Sequence, residues 1–266
     1  MRLRRFLFIG VLAFVPIGCA SHPACSGSAP SARCTRVLFV GNSYTYVNDL
    51  PDTFAALAAS GGHSVQTGMA ATGGATLADH ATSGDAQAAI SSAHWNVVVL
   101  QEQSQIPSVE SFRQTQMYPA ARQLVAEIRA AGAEPIFFLT WAHRDGWPEN
   151  GLLGYSSMQA AVADGYLTIA SEEQAAIAPV GYAWMTLLAR APSIQLWQGD
   201  GVHPTPDGTY LAACVFYATV FAQSPRGLAF HGGVPDADAA TLQEIAATVV
   251  LGDPRRFVRR AVLASA

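Results

Sequence analysis

The sequence predicts a three-layer α/β/α sandwich built around a parallel β-sheet of about five strands. Two short, fully apolar runs, Val37–Val40 and Val97–Leu100, have the length of buried strands and lack any polar alternation. Segments of helical length follow such runs, so strands and helices alternate from residue 36 onward. This alternation implies parallel strands joined by right-handed crossovers, with helices on both faces of the sheet.

In the first half of the chain, glycine residues separate three strand–helix units. Gly41 and Asn42 end the first apolar run, and Pro51 is tolerated in the first turn of the helix that follows. Gly61 ends that helix, and Gly132 ends the third one. The predicted elements are strands at 37–40, 63–70 and 95–100, helices at 49–59, 77–92 and 109–131, and a glycine-rich turn at 71–75.

The second half of the chain continues the same alternation. Thr205 can cap, and Pro206 can begin, a helix that runs to about Phe221. We find neither an internal repeat nor the boundary of a second domain, so residues 36–266 are predicted to form one domain with C-terminal helices. The predicted elements are strands at 135–140 and 178–180, helices at 155–176, 183–190 and 206–221, and one or two helices between 236 and 262.

The N-terminal segment has the pattern of a secretory signal. Three arginines precede an apolar stretch from Phe6 to Ile17, which is shorter than the ~20 residues that a membrane-spanning helix needs. Residues 1–18 are therefore predicted to be a signal peptide and residues 19–35 a flexible tether. Gly18-Cys19 resembles the lipobox of bacterial lipoproteins. We expect an exported protein, either a periplasmic or outer-membrane lipoprotein attached through Cys19 or a secreted one.

Composition and charge limit the kinds of molecule that this protein is expected to bind. The formal net charge is −4, all 15 basic residues are arginine, and no basic run occurs outside the N-terminus, so a nucleic-acid partner is not expected.

Cys25 and Cys34 lie in the tether of an exported chain and either form a disulfide or remain thiols. Cys214 is predicted to be a buried small hydrophobe. No histidine or cysteine pair has metal-site spacing, so neither a metal nor another cofactor is predicted.

Ser43, Asp200 and His203 have the residue types of a nucleophile and its activating pair. A serine needs a base that removes its proton and a third group that orients this base. Ser43 follows the first strand, and open α/β sheets bind ligands beyond the carboxyl ends of their strands. Asp200 lies three residues before His203, a spacing at which the carboxylate can reach Nδ1 and leave Nε2 to face the serine. The alternative is an ordinary pair of loop residues.

Acyl transfer also needs hydrogen-bond donors for the developing oxyanion. The N–H of Gly74, or of Gly73, is one candidate, because a glycine after the second strand leaves no Cβ in the way. The carboxamide of Gln103, or of Gln101, after the third strand is another, because it donates without adding a charge. An ordinary left-handed turn and a solvated loop are the alternatives.

The loop after the fourth strand is aromatic and charged. Trp141 and Arg144 are predicted to bind substrate, since aromatic faces and arginine bind sugar rings and carboxylates. Tryptophan packing and a surface ion pair are the alternatives. The carboxylate of Glu102 would disfavour an oxyanion, so we expect it to point away from that site. We expect His80 to be a surface or helix-packing residue.

These motifs, taken together, resemble a known superfamily. Gly41-Asn42-Ser43, Gly74, Gln101–Ser104 and Asp200-x-x-His203 look like blocks I, II, III and V of the SGNH (GDSL-type) hydrolases, in the same order, over residues 36–223. The resemblance implies a flavodoxin-like sheet with strand order 2-1-3-4-5. It also implies that Ser43 is the nucleophile, His203 the base and Asp200 its orienting carboxylate, with the N–H groups of Ser43 and Gly74 as oxyanion donors.

Two positions depart from the pattern of the superfamily. Asn42 stands where block I usually has aspartate, which leaves the serine in place. In block III the usual Gly-x-Asn-Asp is replaced by Gln101-Glu-Gln103-Ser, so the side-chain donor would be Gln103, one methylene longer than asparagine. The chain looks most like a bacterial branch of the superfamily with Gly-Asn-Ser and Leu-Gln-Glu-Gln-Ser motifs.

We therefore expect a metal-independent serine esterase that forms an acyl-enzyme on Ser43. Small acyl esters, particularly acetyl groups on carbohydrate, are the favoured substrates, by analogy with related enzymes. An acyltransferase using the same site is one alternative. A non-catalytic glycan- or envelope-binding lipoprotein, whose altered block III has lost the oxyanion site, is the other.

Overall fold

The computed structural model describes residues 34–253 and residue 257. Five strands form an all-parallel sheet in the order β2-β1-β3-β4-β7, and β5 and β6 form a separate antiparallel pair. This order confirms both the parallel sheet and the 2-1-3-4-5 connectivity. The strands are β1 (Thr35–Gly41), β2 (Val65–Ala71), β3 (Val97–Leu100), β4 (Glu134–Phe138), β5 (Gly146–Trp147), β6 (Leu152–Leu153) and β7 (Ala176–Ala178).

Helices cover both faces of the sheet. Val37 and Phe39 of β1 point into one core, and Leu38 and Val40 point into the other. The first core is closed by α2, α8, α9 and α10, and the second by α3, α4, α6 and α7. The helices are α1 (Ser43–Tyr46), α2 (Leu50–Ser60), α3 (Leu77–Ser83), α4 (Asp85–Ser91), α5 (Glu110–Phe112), α6 (Tyr118–Ala130), α7 (Gly154–Glu172), α8 (Val180–Arg190), α9 (Pro206–Phe221) and α10 (Asp236–Leu251).

Several boundaries differ from the sequence prediction. The helix expected at 77–92 is broken by Gly84, which adopts φ 79°. The helix expected at 109–131 begins as the short α5 and continues through a π-helical turn, Arg113–Met117, before α6. The fifth strand was placed two residues too late, because Val180 already begins α8. Neither α1 nor the β5–β6 pair was expected.

Most of the N-terminal predictions concern residues that the structure does not describe, whereas two of the four cysteines are described. The predicted signal peptide (1–18), all of the tether before residue 34 and Cys19 and Cys25 lie outside the described residues. Cys34 is disulfide-bonded. Cys214 is a free, fully buried thiol, as predicted. In the part of the chain that the structure describes, no helix is long and apolar enough to cross a membrane.

Candidate active site

The turn that carries Ser43 begins where β1 ends. A Cβ on Gly41 would lie 2.4 Å from Gln101 Oε1 and 2.6 Å from Thr45 Oγ1, so only glycine fits there. Asn42 then caps α1, because its Oδ1 accepts the N–H of Tyr44 at 3.1 Å. Ser43 is the first residue of that helix and is half-buried.

Asn42 also explains the departure from the usual aspartate in block I. Its Nδ2 donates to the carbonyl oxygen of Ala75 at 2.9 Å, while its Oδ1 accepts from α1. An ionised aspartate accepts hydrogen bonds but cannot donate one. Asparagine therefore joins the turn of the nucleophile to the glycine-rich turn after β2, which an aspartate at this position could not do.

The loop before α9 brings Asp200 and His203 to the serine. His203 Nδ1 lies 2.6 Å from Asp200 Oδ2, and His203 Nε2 lies 2.9 Å from Ser43 Oγ. Asp200 Oδ1 also accepts the N–H groups of Val202 and His203. The Ser–His–Asp sequence of hydrogen bonds predicted from residue spacing is therefore present.

The same contacts set the charge of Asp200. Burial raises the pKa of this carboxyl, but the hydrogen bonds from the His203 ring and from the N–H groups of Val202 and His203 outweigh it and lower the pKa to about 2. Asp200 is therefore ionised at neutral pH. A carboxylate on Nδ1 fixes the tautomer of His203 so that Nε2 can accept the serine proton.

The nucleophile opens into a cleft of about 350 Å³. The N–H groups of Ser43 and Gly74 face no hydrogen-bond acceptor among the described residues. Gly74 has φ +72°, a left-handed conformation that glycine adopts without strain. The residues that line the cleft are Asn42, Ser43, Tyr46, Gly73, Gly74, Gln103, Ser104, His143, Val202 and His203.

The two glutamines of block III lie in different environments. Gln103 lines the cleft, and its Oε1 accepts the N–H of Gln105 at 2.8 Å, which leaves the amide nitrogen with only long contacts of 3.4 and 3.5 Å. Gln101 is fully buried, and its Nε2 donates to Glu102 O at 2.7 Å. Gln101 is therefore wrong as an alternative oxyanion donor. Its Oε1 instead accepts the N–H of Asn42 and the hydroxyl of Thr45.

Glu102 is buried beneath the loop and does not line the cleft. Its Oε1 accepts the N–H of Leu77, at the start of α3, and the N–H of Gln103. Its Oε2 has no partner within the described part of the chain. Burial raises the pKa of Glu102 to about 7 against these two hydrogen bonds. Glu102 thus connects the two segments that carry the oxyanion candidates.

The prediction that Trp141 binds substrate is wrong. Trp141 is fully buried, stacks between Tyr44 and Trp184 at centroid distances of 4.4 and 4.1 Å, and donates from Nε1 to Val202 O at 2.9 Å. Its role is to support the loop of His203. The pattern of an aromatic loop could not distinguish a ring that packs from a ring that faces a ligand.

Arg144 is also absent from the described residues that line the cleft. Its N–H donates to Gly201 O at 2.8 Å, and its guanidinium forms an ion pair with Asp145 at 3.6 Å. Arg144 therefore contacts the loop of Asp200 from outside, which matches the alternative of a surface ion pair.

Three contributors to the site were not recognised in the sequence. His80 is buried, and its Nε2 lies 2.7 Å from Gly41 O, so it fixes the end of β1 and is not a surface residue. Asn48 Nδ2 donates to Pro204 O at 2.9 Å, which ties the segment after Ser43 to the segment after His203. His143 lines the cleft and lies 2.9 Å from Ser104 Oγ. The position of His143 in the loop after β4 could have indicated it, whereas His80 lies within α3 and no sequence signal marked it.

Solved structures resemble this chain over most of its described length. A protein from Slackia heliotrinireducens assigned to the SGNH hydrolases is 30% identical, with a TM-score of 0.61, over 70% of this chain and 98% of that protein. A DUF4886 family protein from Bacteroides uniformis is 17% identical, with a TM-score of 0.72, over 83% and 96% of the two chains. A lipase/acylhydrolase from Enterococcus faecalis is 14% identical, with a TM-score of 0.55, over 70% and 95%.

The last two similarities show the fold alone, whereas the first shows the family. Comparison of the sequence with protein-family models found no match, and comparison with curated proteins found none either. Because it is 30% identical to the Slackia protein and covers 98% of that protein, this chain belongs to the SGNH (GDSL-type) hydrolases and is a serine ester hydrolase.

Proposed function

We propose that this enzyme hydrolyses small acyl esters, in particular acetyl groups on carbohydrate, through an acyl-enzyme on Ser43. The observation that carries the proposal is the unbroken sequence of hydrogen bonds from Ser43 Oγ through His203 to Asp200, at 2.9 and 2.6 Å, at the edge of a small cleft. Hydrogen bonds of this length allow the proton transfers that acyl transfer requires.

The reaction follows from these contacts. Ser43 Oγ attacks the ester carbonyl carbon while its proton moves to His203 Nε2, and the oxyanion accepts hydrogen bonds from the N–H groups of Ser43 and Gly74 and from the Gln103 amide. The C–O bond to the alcohol then breaks, and the alcohol leaves with the proton from His203. Water, deprotonated by His203, attacks the acyl-enzyme in the same way. This releases the acid and returns the proton to Ser43.

The cleft favours small acyl groups. Its volume of about 350 Å³ lies at the lower end of the ~300–1,000 Å³ range of ligand pockets. Val202 and the ring of Tyr46 are the largest apolar groups among the side chains that line it. The small volume of the cleft is what supports a short acyl group.

Tyr46 takes the place predicted for Trp141 as an aromatic platform. It lines the cleft and is 40% exposed. A tyrosine ring packs on the apolar face of a sugar while its hydroxyl stays free for hydrogen bonds. This exposed ring beside Ser43 supports an alcohol part that is a sugar.

The proposed location is outside the cytoplasm, with or without a lipid on Cys19. The support is the arginine-rich start, the apolar stretch from Phe6 to Ile17 and the Gly18-Cys19 pair. Mass spectrometry of the chain recovered from a bacterial host would give the mature N-terminus. An N-terminus at Met1 would contradict export by this signal.

A panel of p-nitrophenyl esters and acetylated methyl glycosides tests the proposed reaction. We expect kcat/KM to fall at least ~10-fold between the acetyl and the octanoyl ester, the acetylated glycoside to release free acetate, and Ser43→Ala to abolish turnover and fluorophosphonate labelling. An activity that rises with chain length would contradict the substrate class. Turnover that survives Ser43→Ala would contradict the mechanism. Acetate that appears on added glycerol and not in solution would identify a transferase.

A further inference from the structure

A second serine–histidine pair lies in the same cleft as the first. Ser104 Oγ lies 2.9 Å from His143 Nε2, and both residues line the cleft together with Ser43 and His203. Ser104 is buried at 6% exposure, and His143 is half-buried. The reaction proposed above uses neither side chain.

This second pair lacks the carboxylate that the first one has. The structure gives His143 one side-chain hydrogen bond, to Ser104, and no described residue bonds to its Nδ1. Burial lowers the pKa of His143, the charge of Asp200 raises it, and His203 lowers it, with a net decrease. The imidazole is therefore neutral at neutral pH, and because Nε2 is bonded to Ser104, Nδ1 is left to donate to or accept from a hydroxyl group.

The position of His143 relates it to the leaving alcohol. On either side of His143 in the chain, Trp141 Nε1 donates to Val202 O and Arg144 N–H donates to Gly201 O, so His143 lies beside the loop that carries His203. His203 Nε2 is the atom that returns a proton to the departing alcohol in the proposed reaction. A polar group beside it would therefore face the alcohol part of the ester and not the acyl part.

We propose that His143, held in place by Ser104, forms a hydrogen bond with a hydroxyl group on the alcohol part of the substrate and thereby selects polyhydroxylated esters. This inference rests on the proposed function and specifies how the alcohol is recognised. A site that hydrogen-bonds a hydroxyl discriminates against an analogue that lacks one, because the polar group of the site is then left without a partner.

Two esters with the same acetyl group separate the recognition of the alcohol from acyl chemistry. An acetylated methyl glycoside carries hydroxyl groups next to the ester, whereas p-nitrophenyl acetate carries none. We expect His143→Phe, which keeps a ring but removes both nitrogens, to lower kcat/KM for the glycoside by about 10- to 100-fold and for p-nitrophenyl acetate by less than about 3-fold. His143→Asn, with a donor near the position of Nδ1, should recover part of the loss.

His94→Ala is the matched control, because His94 is exposed and lies in the segment that leads into β3, at the opposite end of the sheet from the cleft. It should leave both substrates unchanged. Equal losses on the two esters after His143→Phe, or no loss on either, would overturn the role of His143 while leaving the proposed function intact. A wild-type enzyme that cleaves p-nitrophenyl acetate but not the glycoside would overturn the proposed substrate class, and this inference with it.

Discussion

Two serine–histidine pairs share one cleft, and they differ in what stands behind the histidine. His203 contacts Ser43 at 2.9 Å and has Asp200 on its other nitrogen at 2.6 Å. His143 contacts Ser104 at the same distance, 2.9 Å, but no carboxylate bonds to its ring in the described part of the chain. The hydrogen bond between serine and histidine therefore does not by itself distinguish a nucleophile from a binding group.

The surroundings of the two serines differ as well. Ser43 begins a helix and has its own N–H and that of Gly74 available for an oxyanion, whereas Ser104 is buried in the loop after β3. The orienting carboxylate and the oxyanion donors therefore decide which serine reacts. A Ser–His pair without them remains suited to hydrogen bonding with a neutral ligand.

Replacing the carboxylate of Asp200 should have the largest effect on activity, because it removes the main difference between the two pairs. We expect Asp200→Asn to lower kcat/KM for p-nitrophenyl acetate by about 10³-fold, because His203 loses the group that fixes its tautomer and stabilises the imidazolium. Ser104→Ala, in the other pair, should cost less than about 10-fold on the same substrate. Steady-state kinetics on both variants give the comparison.

Asp236→Asn supplies the matched control, since Asp236 also bonds to a histidine, His231 Nδ1 at 2.8 Å, outside the cleft. It removes a similar hydrogen bond and should leave kcat/KM unchanged. Comparable losses from Asp200→Asn and Ser104→Ala would mean that the two pairs act as one unit, which would contradict the separation drawn here.

Much of this site was predictable because catalysis restricts residue types and order. Ser43, Asp200 and His203 could be identified from a serine after the first strand and an aspartate three residues before a histidine in a loop. The distinction between Gln101 and Gln103 could not, because it depends on which side chain the backbone turns inward. Gln101 is buried against Asn42, and Gln103 reaches the cleft.

In the fold, too, the sequence pattern predicted the elements, but tertiary packing decides their exact ends. Apolar runs and glycine positions predicted the five strands, and the resemblance to the SGNH hydrolases implied their order. The exact ends could not be read because Val180 is apolar enough for either β7 or α8. The choice between substrate binding and packing for Trp141 could not be made for a related reason, since its partners Tyr44 and Trp184 are far away in sequence and meet only through the fold.

Gln103 lines the cleft that both pairs share, so its substitution tests which of them it serves. Its Nε2 is 3.5 Å from Ser104 Oγ, and it lines the cleft beside Ser43. If it stabilises the oxyanion, Gln103→Ala should lower kcat by about 10²-fold on both the glycoside and p-nitrophenyl acetate, with little change in KM. A loss confined to the KM of the glycoside would instead assign Gln103 to the pair of Ser104 and His143.

Gln105→Ala is the matched control, because Gln105 lies in the same loop and contacts the Gln103 side chain but does not line the cleft. It should change kcat by less than about 3-fold. A loss of kcat as large as that of Gln103→Ala would show that the loop conformation, and not the Gln103 amide, is responsible.

Glu102 is buried beneath the loops of both pairs. We therefore expect its substitution to change the free energy of unfolding, and to affect the two pairs equally. Its Oε1 holds the N–H of Leu77 and of Gln103, and glutamine keeps an acceptor oxygen of the same reach. Glu102→Gln should therefore change kcat/KM for either ester by less than about 10-fold. The two substrates should be affected equally.

The stability effect of Glu102 has a defined sign. Burial raises the pKa of Glu102 from 4.5 to about 7, so the folded state binds the proton more tightly than the unfolded state. The tighter proton binding stabilises the folded state. This stabilisation is complete below pH 4.5 and is lost as the pH rises through 7. At about 1.4 kcal/mol per pKa unit it is on the order of 3 kcal/mol. Glu102→Gln lacks this contribution.

Urea unfolding of the wild type, Glu102→Gln and the exposed control Glu149→Gln at pH 5 and pH 8 measures this effect. From pH 5 to pH 8, the wild type should lose stability relative to Glu102→Gln, and Glu149→Gln should follow the wild type. Parallel pH dependences for all three proteins would mean that Glu102 stays ionised in the folded state throughout this range. The Glu102 carboxylate would then be stabilised by its two backbone N–H donors despite its burial, and it would hold the loops of both pairs as an anion.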